Sequence, residues 1–397
     1  MTNPNRFNAL ERRAAFALAL LFFSRMLGLF MLLPVLALYV DKLDYATPSR
    51  IGMAIGIYAL TQALFQIPMG RVSDRLGRKP VIAFGLVIFT LGSVLAALTD
   101  NIFFIIAGRA LQGCGAISSA AMALAADLSR ESQRTKVMAV IGVSIGVAFS
   151  SAFVLGPVID SAWGLNGLFW SVAGLGLLGL AVLTALVPDR VATTASGEPA
   201  MEVSEPHSPL LAGMLSINLL GGFFLHAILA IGFVAVPLHL TITLGLPSKL
   251  HYQIYLPVIL LSLLAVGPLV MLSHRNDYQR IMIPLSIGAV ALGMGLLFGL
   301  RTSSAATYAS LAIFFIGFNY LEVALPSQIS KQAAAPERGQ AMGGYATLQF
   351  LGTFVGAFLG GQILERFGIA PVLLAAAALG SIWLILAMGA KSRLKPG

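Results

Sequence analysis

Of the sixteen Asp and Glu residues in the chain, Glu322 alone lies well inside a long apolar run. Asn319 precedes it by three positions, so a helix would project both from one face. A carboxylate held away from bulk water suits a group that loads and releases protons. Two cations share the apolar interior, Arg25 and Arg109. Helical rise places Arg25 roughly 15 Å and Glu322 roughly 12 Å from the same end of their runs. At those depths the two could pair, and protonation would break the pair; a static buried ion pair is the other reading. Arg109, Gln112, Gly113 and Ala116 follow i, i+3, i+4, i+7 spacing and share a helix face. An intramembrane arginine is costly unless paired or wetted. Arg109 should therefore face a cavity or an interface, or else serve packing alone through carbonyl contacts. Other polar positions inside apolar runs include Tyr58, Gln62, Gln66, Gln112, Asn319 and Gln349. Together they form a candidate substrate cavity, whose mixture of amides and aromatics suits small amphipathic organic compounds.

The elements that must position these groups are membrane spans. The chain is 58% hydrophobic and 10% charged, against about a quarter charged in soluble domains. Apolar runs of the ~20 residues needed to cross a bilayer follow almost back to back. They cover Ala14–Val40, Ile51–Met69, Val81–Leu98, Ile102–Ala126, Val137–Ile159 and Leu168–Val187. After a polar stretch come Leu210–Leu240, Tyr252–Leu272, Ile281–Leu300, Ala305–Ile329, Ala341–Leu364 and Ala370–Ala390. This predicts an all-α polytopic membrane protein of twelve transmembrane helices, with residues 1–187 and 209–397 as two six-helix bundles. Residues 188–208, rich in Pro, Ser, Thr and Glu, read as the linker between them.

If the amino terminus is cytoplasmic, most Lys and Arg fall on cytoplasmic ends, the positive-inside bias that fixes orientation. The net charge of +9 is then an orienting device, and no nucleic-acid partner is needed. Both termini and the linker lie inside. The first run is too long, and too interrupted by Arg25, for a cleaved signal peptide. The halves also show weak similarity at an offset of 204, where Arg134/Arg338, Met138/Met342 and Gly156/Gly360 coincide. Cys114 is the only cysteine and reads as a small packing residue.

Several classes are excluded by what is missing. Gly174-Leu-Gly176-Leu-Leu-Gly179 has the spacing of a dinucleotide loop, but it lies mid-span with no preceding strand or following acid. No Walker loop, HExxH or Ser-His pairing occurs, so neither ATP-driven nor enzymatic chemistry is expected. The His residues lack metal-ligand spacing, and no cofactor is expected beyond a proton gradient as energy source.

The most specific signal is Gly70-Arg-Val-Ser-Asp74-Arg75-Leu-Gly77-Arg78-Lys79-Pro80, between spans two and three. Gly77 permits a tight turn, and Asp74 is a carboxylate suited to a helix N-terminus or an arginine. This run resembles the G-x-x-x-D-R-x-G-R-K loop of the major facilitator superfamily. The resemblance implies a gating role for the loop, its carboxylate bracing the contact near the start of span eleven and Arg78 pairing with Asp127. Gly108-Arg109-Ala-Leu-Gln112-Gly113-Cys-Gly115 resembles the family's R-x-x-Q-G-x-G run, whose arginine is associated with proton-coupled members.

Span five carries Gly142, Gly146, Gly156 and Pro157, small residues that favour close helix packing. It resembles the family's antiporter motif in part, since Ala152 and Phe153 stand near the terminal Gly-Pro. With Arg25-Met-Leu-Gly28, Leu33-Pro34-Val35-Leu36 and Phe318-Asn-Tyr-Leu-Glu322, the chain resembles the YajR-like branch of proton-driven efflux proteins. It is expected to lack the extra carboxy-terminal domain found in that branch. The resemblance implies the major facilitator fold and a monomeric, proton-coupled antiporter of the bacterial inner membrane, exporting a small molecule. A symporter or facilitator importing a metabolite, or a non-transporting receptor, are the alternatives.

Overall fold

A computed structural model describes residues 7–188, 209–274, 278–333 and 338–392. Among the described residues there is no strand, only an isolated bridge between Asp44 and Asn101. The helices are α1 (Ala9–Met31), α2 (Leu33–Leu36), α3 (Pro48–Leu76), α4 (Arg78–Ala97), α5 (Ile102–Cys114), α6 (Ser118–Asp127) and α7 (Glu131–Ala185). They continue as α8 (Pro209–Leu238), α9 (Tyr252–His274), α10 (Gln279–Gly299), α11 (Ser304–Gln332), α12 (Arg338–Phe367) and α13 (Ile369–Ser392). Eleven helical stretches among the described residues are long and apolar enough to cross a membrane.

One of them, α7, has 55 residues and would extend about 80 Å at 1.5 Å per residue, more than twice the ~30 Å hydrocarbon core. It bends at Gly164, whose φ of 65° and ψ of −171° are non-helical. Only glycine adopts that region without strain. Gly164 falls between the fifth and sixth apolar runs of the sequence, so α7 holds two crossings and the chain makes twelve.

Two other spans are interrupted where the sequence suggests continuous helices. Leu32 ends α1, and Pro34 stands in the first turn of α2, where its missing N–H is harmless. The fourth span breaks between α5 and α6, at Gly115 with φ −71° and ψ 44°. A helix end leaves carbonyls without helical donors, and this break supplies one to the site described below.

Two compact units divide the chain: Met1–Ala46 with Leu60–Pro199, and Thr47–Ala59 with Ala200–Gly397. The linker anticipated over 188–208 lies outside the described residues apart from Pro188. In the first unit, α1 packs along α7. At their crossing a Cβ on Gly156 would come within 2.5 Å of the Met31 carbonyl. In the second unit α12 packs along α8, closest at Gly352 and Gly356, where a Cβ would collide with the Phe223 and Ala227 carbonyls.

Gly142 and Gly146 differ from expectation. A Cβ on either would meet nothing within 4 Å, because the buried face of α7 there is Val137, Ile141, Ala148 and Ala152. Gly156→Ala is therefore expected to lower stability by about 1–3 kcal/mol through overpacking, and Gly142→Ala to leave it unchanged. Thermal unfolding of the purified variants checks both.

In the second unit, the Thr47–Ala59 segment meets α12. The Ser49 amide donates to Glu365 at 2.9 Å, so a remote carboxylate caps the start of α3. Gly52 lies directly against the backbone of Ala357 and Gly361.

Candidate proton and substrate site

Arg25 is 1% exposed, and in the first unit it sits among neutral acceptors. Its Nη2 donates to Gln62 Oε1 and to the Gly115 carbonyl, both at 2.8 Å. Its Nη1 donates to Ser118 Oγ at 3.1 Å, and the guanidinium lies 5.9 Å from the Phe89 ring centroid. The Gly115 carbonyl is available because the fourth span breaks there. Arg25 Nε is buried without a hydrogen-bond partner. Gln62 reaches Gln66 Oε1 at 3.5 Å, and Ser119 donates to the Gln66 carbonyl at 2.8 Å.

A second string lies alongside. Arg109, also 1% exposed, donates to Gln112 Oε1 at 2.7 Å. Gln112 Nε2 donates to Ser93 Oγ at 2.8 Å, and Ser93 donates to the Phe89 carbonyl at 2.7 Å. The i, i+3 spacing of Arg109 and Gln112 is thus used for a direct bond inside the unit.

Glu322 has different company, all within the second unit. Its Oε1 is 3.6 Å from His226 Nε2 and 3.5 Å from Gln349 Nε2. Gln349 Nε2 is also 3.5 Å from His226 Nε2. The other ring nitrogen, Nδ1, is 3.2 Å from the Gly222 carbonyl. A carbonyl only accepts, so Nδ1 carries a hydrogen and Nε2 is the nitrogen that faces the carboxylate. Neutral His226 presents a lone pair at Nε2, and protonated His226 presents a donor to the carboxylate. Gln349 Nε2 is a donor and bridges the carboxylate to His226 Nε2 only while that nitrogen keeps its lone pair. Asn319 donates to Ser262 Oγ at 2.8 Å, one turn from Glu322 on α11.

Arg25 has these partners within the first unit, and Glu322 has its own within the second. Gln62, Ser118 and the broken span satisfy the two Nη groups of Arg25 but not its Nε. Of the other anticipated cavity residues, Gln62, Gln66 and Gln112 belong to the first unit, and Tyr58, Asn319 and Gln349 to the second. Tyr58 is 2% exposed.

His226 is the residue that sequence reasoning passed over, because histidines were weighed only for metal spacing. The rule that an intramembrane ionisable group is functional by default applies to histidine as much as to glutamate. Two further buried carboxylates also escaped notice, each already partnered. Glu11 accepts from Arg130 Nε at 2.7 Å and Nη2 at 2.8 Å and belongs to a capping box with Asn8. Asp160 accepts from the Tyr39 hydroxyl at 2.5 Å.

The loop between α3 and α4 is organised around Arg78. It donates to Ser73 Oγ at 2.7 Å, pairs with Asp74, and lies 3.4 Å from Asp127. Arg75 occupies the last turn of α3, where a cation complements the helix dipole. Gly70 allows Ser119 to approach, at 3.1 Å from a notional Cβ. Gly77 has φ 95° and ψ 150°, a region essentially restricted to glycine. Gly77→Ala is expected to cost about 1–3 kcal/mol and to loosen the Arg78 contacts, read as faster proteolysis of this loop. Two more cations tie the same end of the first unit together. Arg13 donates to the Ala185 and Leu186 carbonyls at 3.0 and 2.8 Å, and Lys79 to the Val187 carbonyl at 2.7 Å.

Among the described residues, helices that make twelve apolar crossings, with polar groups strung through the interior of each unit, are the construction of a membrane transporter. Residues 18–343 match the family model for the Major Facilitator Superfamily, and the chain belongs to that family. It is 44% identical over 379 residues to the inner membrane transport protein YajR of Escherichia coli (strain K12), covering 95% of this chain and 83% of that protein. It is 25% identical over 387 residues to the quinolone resistance protein NorA of Staphylococcus aureus (strain COL), covering 88% and 89%. Among solved structures, a bacterial homologue of the human lysosomal transporter Spinster superposes with a TM-score of 0.78 at 14% identity, over 99% of this chain and 98% of that one. These relatives are transporters, and the chain is a multi-pass membrane transport protein, not an enzyme.

Proposed function

We propose that this transporter is a proton-coupled antiporter that exports small amphipathic organic compounds by alternating access. In this reading it works as a monomer in the bacterial inner membrane with both termini cytoplasmic. The observation that carries the reading is the Glu322–His226–Gln349 cluster. A carboxylate and an imidazole 3.6 Å apart, bridged by one amide, form a site that exchanges a proton without stranding a bare charge in the membrane. Proton entry at Glu322 removes its charge and its hold on His226. Release to the other side restores both and resets the carrier.

Arg25 and Arg109 serve as positioning residues of the first half, held by the buried amides of Gln62 and Gln112. The quinolone resistance of NorA is a property of that relative, and it motivates the class of compound chosen for the test. Inside-out vesicles energised by respiration, with a pH-sensitive dye, receive cationic and zwitterionic amphipathic drugs one at a time. Export predicts that at least one compound dissipates the gradient only where the transporter is present. A labelled metabolite that equilibrates without moving protons would instead support a facilitator. That second reading is favoured by the burial of Ala152 and Phe153 in place of the antiporter motif's glycine.

A further inference from the structure

The outer face of the second unit carries a groove of about 700 Å³ between α10 and α13 that the transport site does not use. Pro284, Leu285 and Gly288 line it from α10, Leu384 and Met388 from α13, and Arg280 stands at one end. Gly288 forms its floor by omission, since a Cβ there would meet only Leu384, at 3.8 Å. The rims are exposed apolar side chains, Leu285 at 61% and Met388 at 57%. From Arg280 to the groove residue Leu292 is twelve residues, about 18 Å of helix. That matches the hydrocarbon depth of a single leaflet, about half of ~30 Å.

The charge at the mouth is positive. Arg280 is exposed in the first turn of α10. Arg280 is the basic residue among those that line the groove. Positive-inside counting assigns this end to the cytoplasm, where the leaflet surface attracts basic groups through its anionic lipids. We infer that the groove is a binding site for a phospholipid with an anionic headgroup. One acyl chain lies along Leu285, Gly288 and Met388, and the phosphate sits at Arg280. An apolar trough alone would take any acyl chain. The cationic end is what selects the headgroup, and the leaflet-length run is what selects a lipid over a free phosphate.

The test is native mass spectrometry of the purified full-length protein, delipidated and then titrated with phosphatidylglycerol or phosphatidylethanolamine. Wild type is expected to retain the anionic lipid in preference to the zwitterionic one. Arg280→Gln should weaken retention of phosphatidylglycerol about fivefold, as loss of one basic group near an anionic headgroup implies. Leu285→Trp, at an exposed position that leaves the core intact, should block the trough and reduce retention of both lipids. Glycerol phosphate without acyl chains should not compete. Equal retention of the two lipids by wild type, or unchanged retention in both variants, overturns the proposal. So does conversion of a dimer to a monomer by Leu285→Trp with lipid binding intact, because the groove then belongs to a second copy of the chain.

Discussion

Glu322→Gln is expected to abolish substrate-driven proton movement, by at least ~100-fold, the lower end of what a positioned proton-transfer group contributes. The substitution keeps the shape of the side chain and its place beside Gln349, so the cluster still assembles. The neutral amide cannot bind or lose a proton, and His226 loses the carboxylate that lies 3.6 Å from its Nε2. Substrate should still bind, because the amides and aromatics around it are untouched. Equilibrium exchange of labelled substrate across the membrane should survive while uphill export is lost. That split separates a coupling residue from a structural one, since a misfolded protein would lose both. His226→Asn makes a second arm. The amide keeps a donor near the Gly222 carbonyl but removes the ring nitrogen that faces Glu322, so coupling should weaken while exchange continues.

The second large effect lies in the first unit. Gln62→Leu is expected to lower stability by about 2 kcal/mol, the penalty for leaving a buried charged donor without its acceptor. For a unit of this size that corresponds to a fall in Tm of about 4–8 °C. Arg25 would lose its 2.8 Å bond to Gln62 Oε1 and keep only the Gly115 carbonyl and Ser118. Arg25→Met combined with Gln62→Leu should restore most of the loss, because removing both partners leaves no orphaned charge. A double mutant as unstable as the single one would mean that Arg25 answers to a different partner. Thermal unfolding followed by tryptophan fluorescence and by aggregation reads the cycle.

The membrane spans were legible because a bilayer demands unbroken apolar length, and composition records length directly. The break at Gly164 was legible too, as the gap between two runs, although the helix passes through it. The interruption at Gly115 was not. It falls inside a run whose Arg109–Gln112 spacing reads as one continuous face, and only the tertiary contact with Arg25 reveals why the carbonyl is exposed there. Periodicity likewise placed Glu322 and Asn319 on a common face, but it could not find His226, which lies 96 positions away on α8. Partners that meet across a bundle leave no mark in local spacing. The same holds for Glu11 with Arg130, which join the start of α1 to the start of α7. Gly142 and Gly146 show the converse error, since small residues at spacing four permit close packing but do not require it.

Proton release on substrate binding tests the coupling claim most directly, in weakly buffered detergent solution with an indicator dye and no membrane gradient. Purified wild type is expected to release protons on addition of an exported compound, in an amount that follows occupancy of the site. Glu322→Gln should bind the same compound with no release. Binding without release by wild type, or release undiminished in Glu322→Gln, would contradict a proton carried between Glu322 and His226.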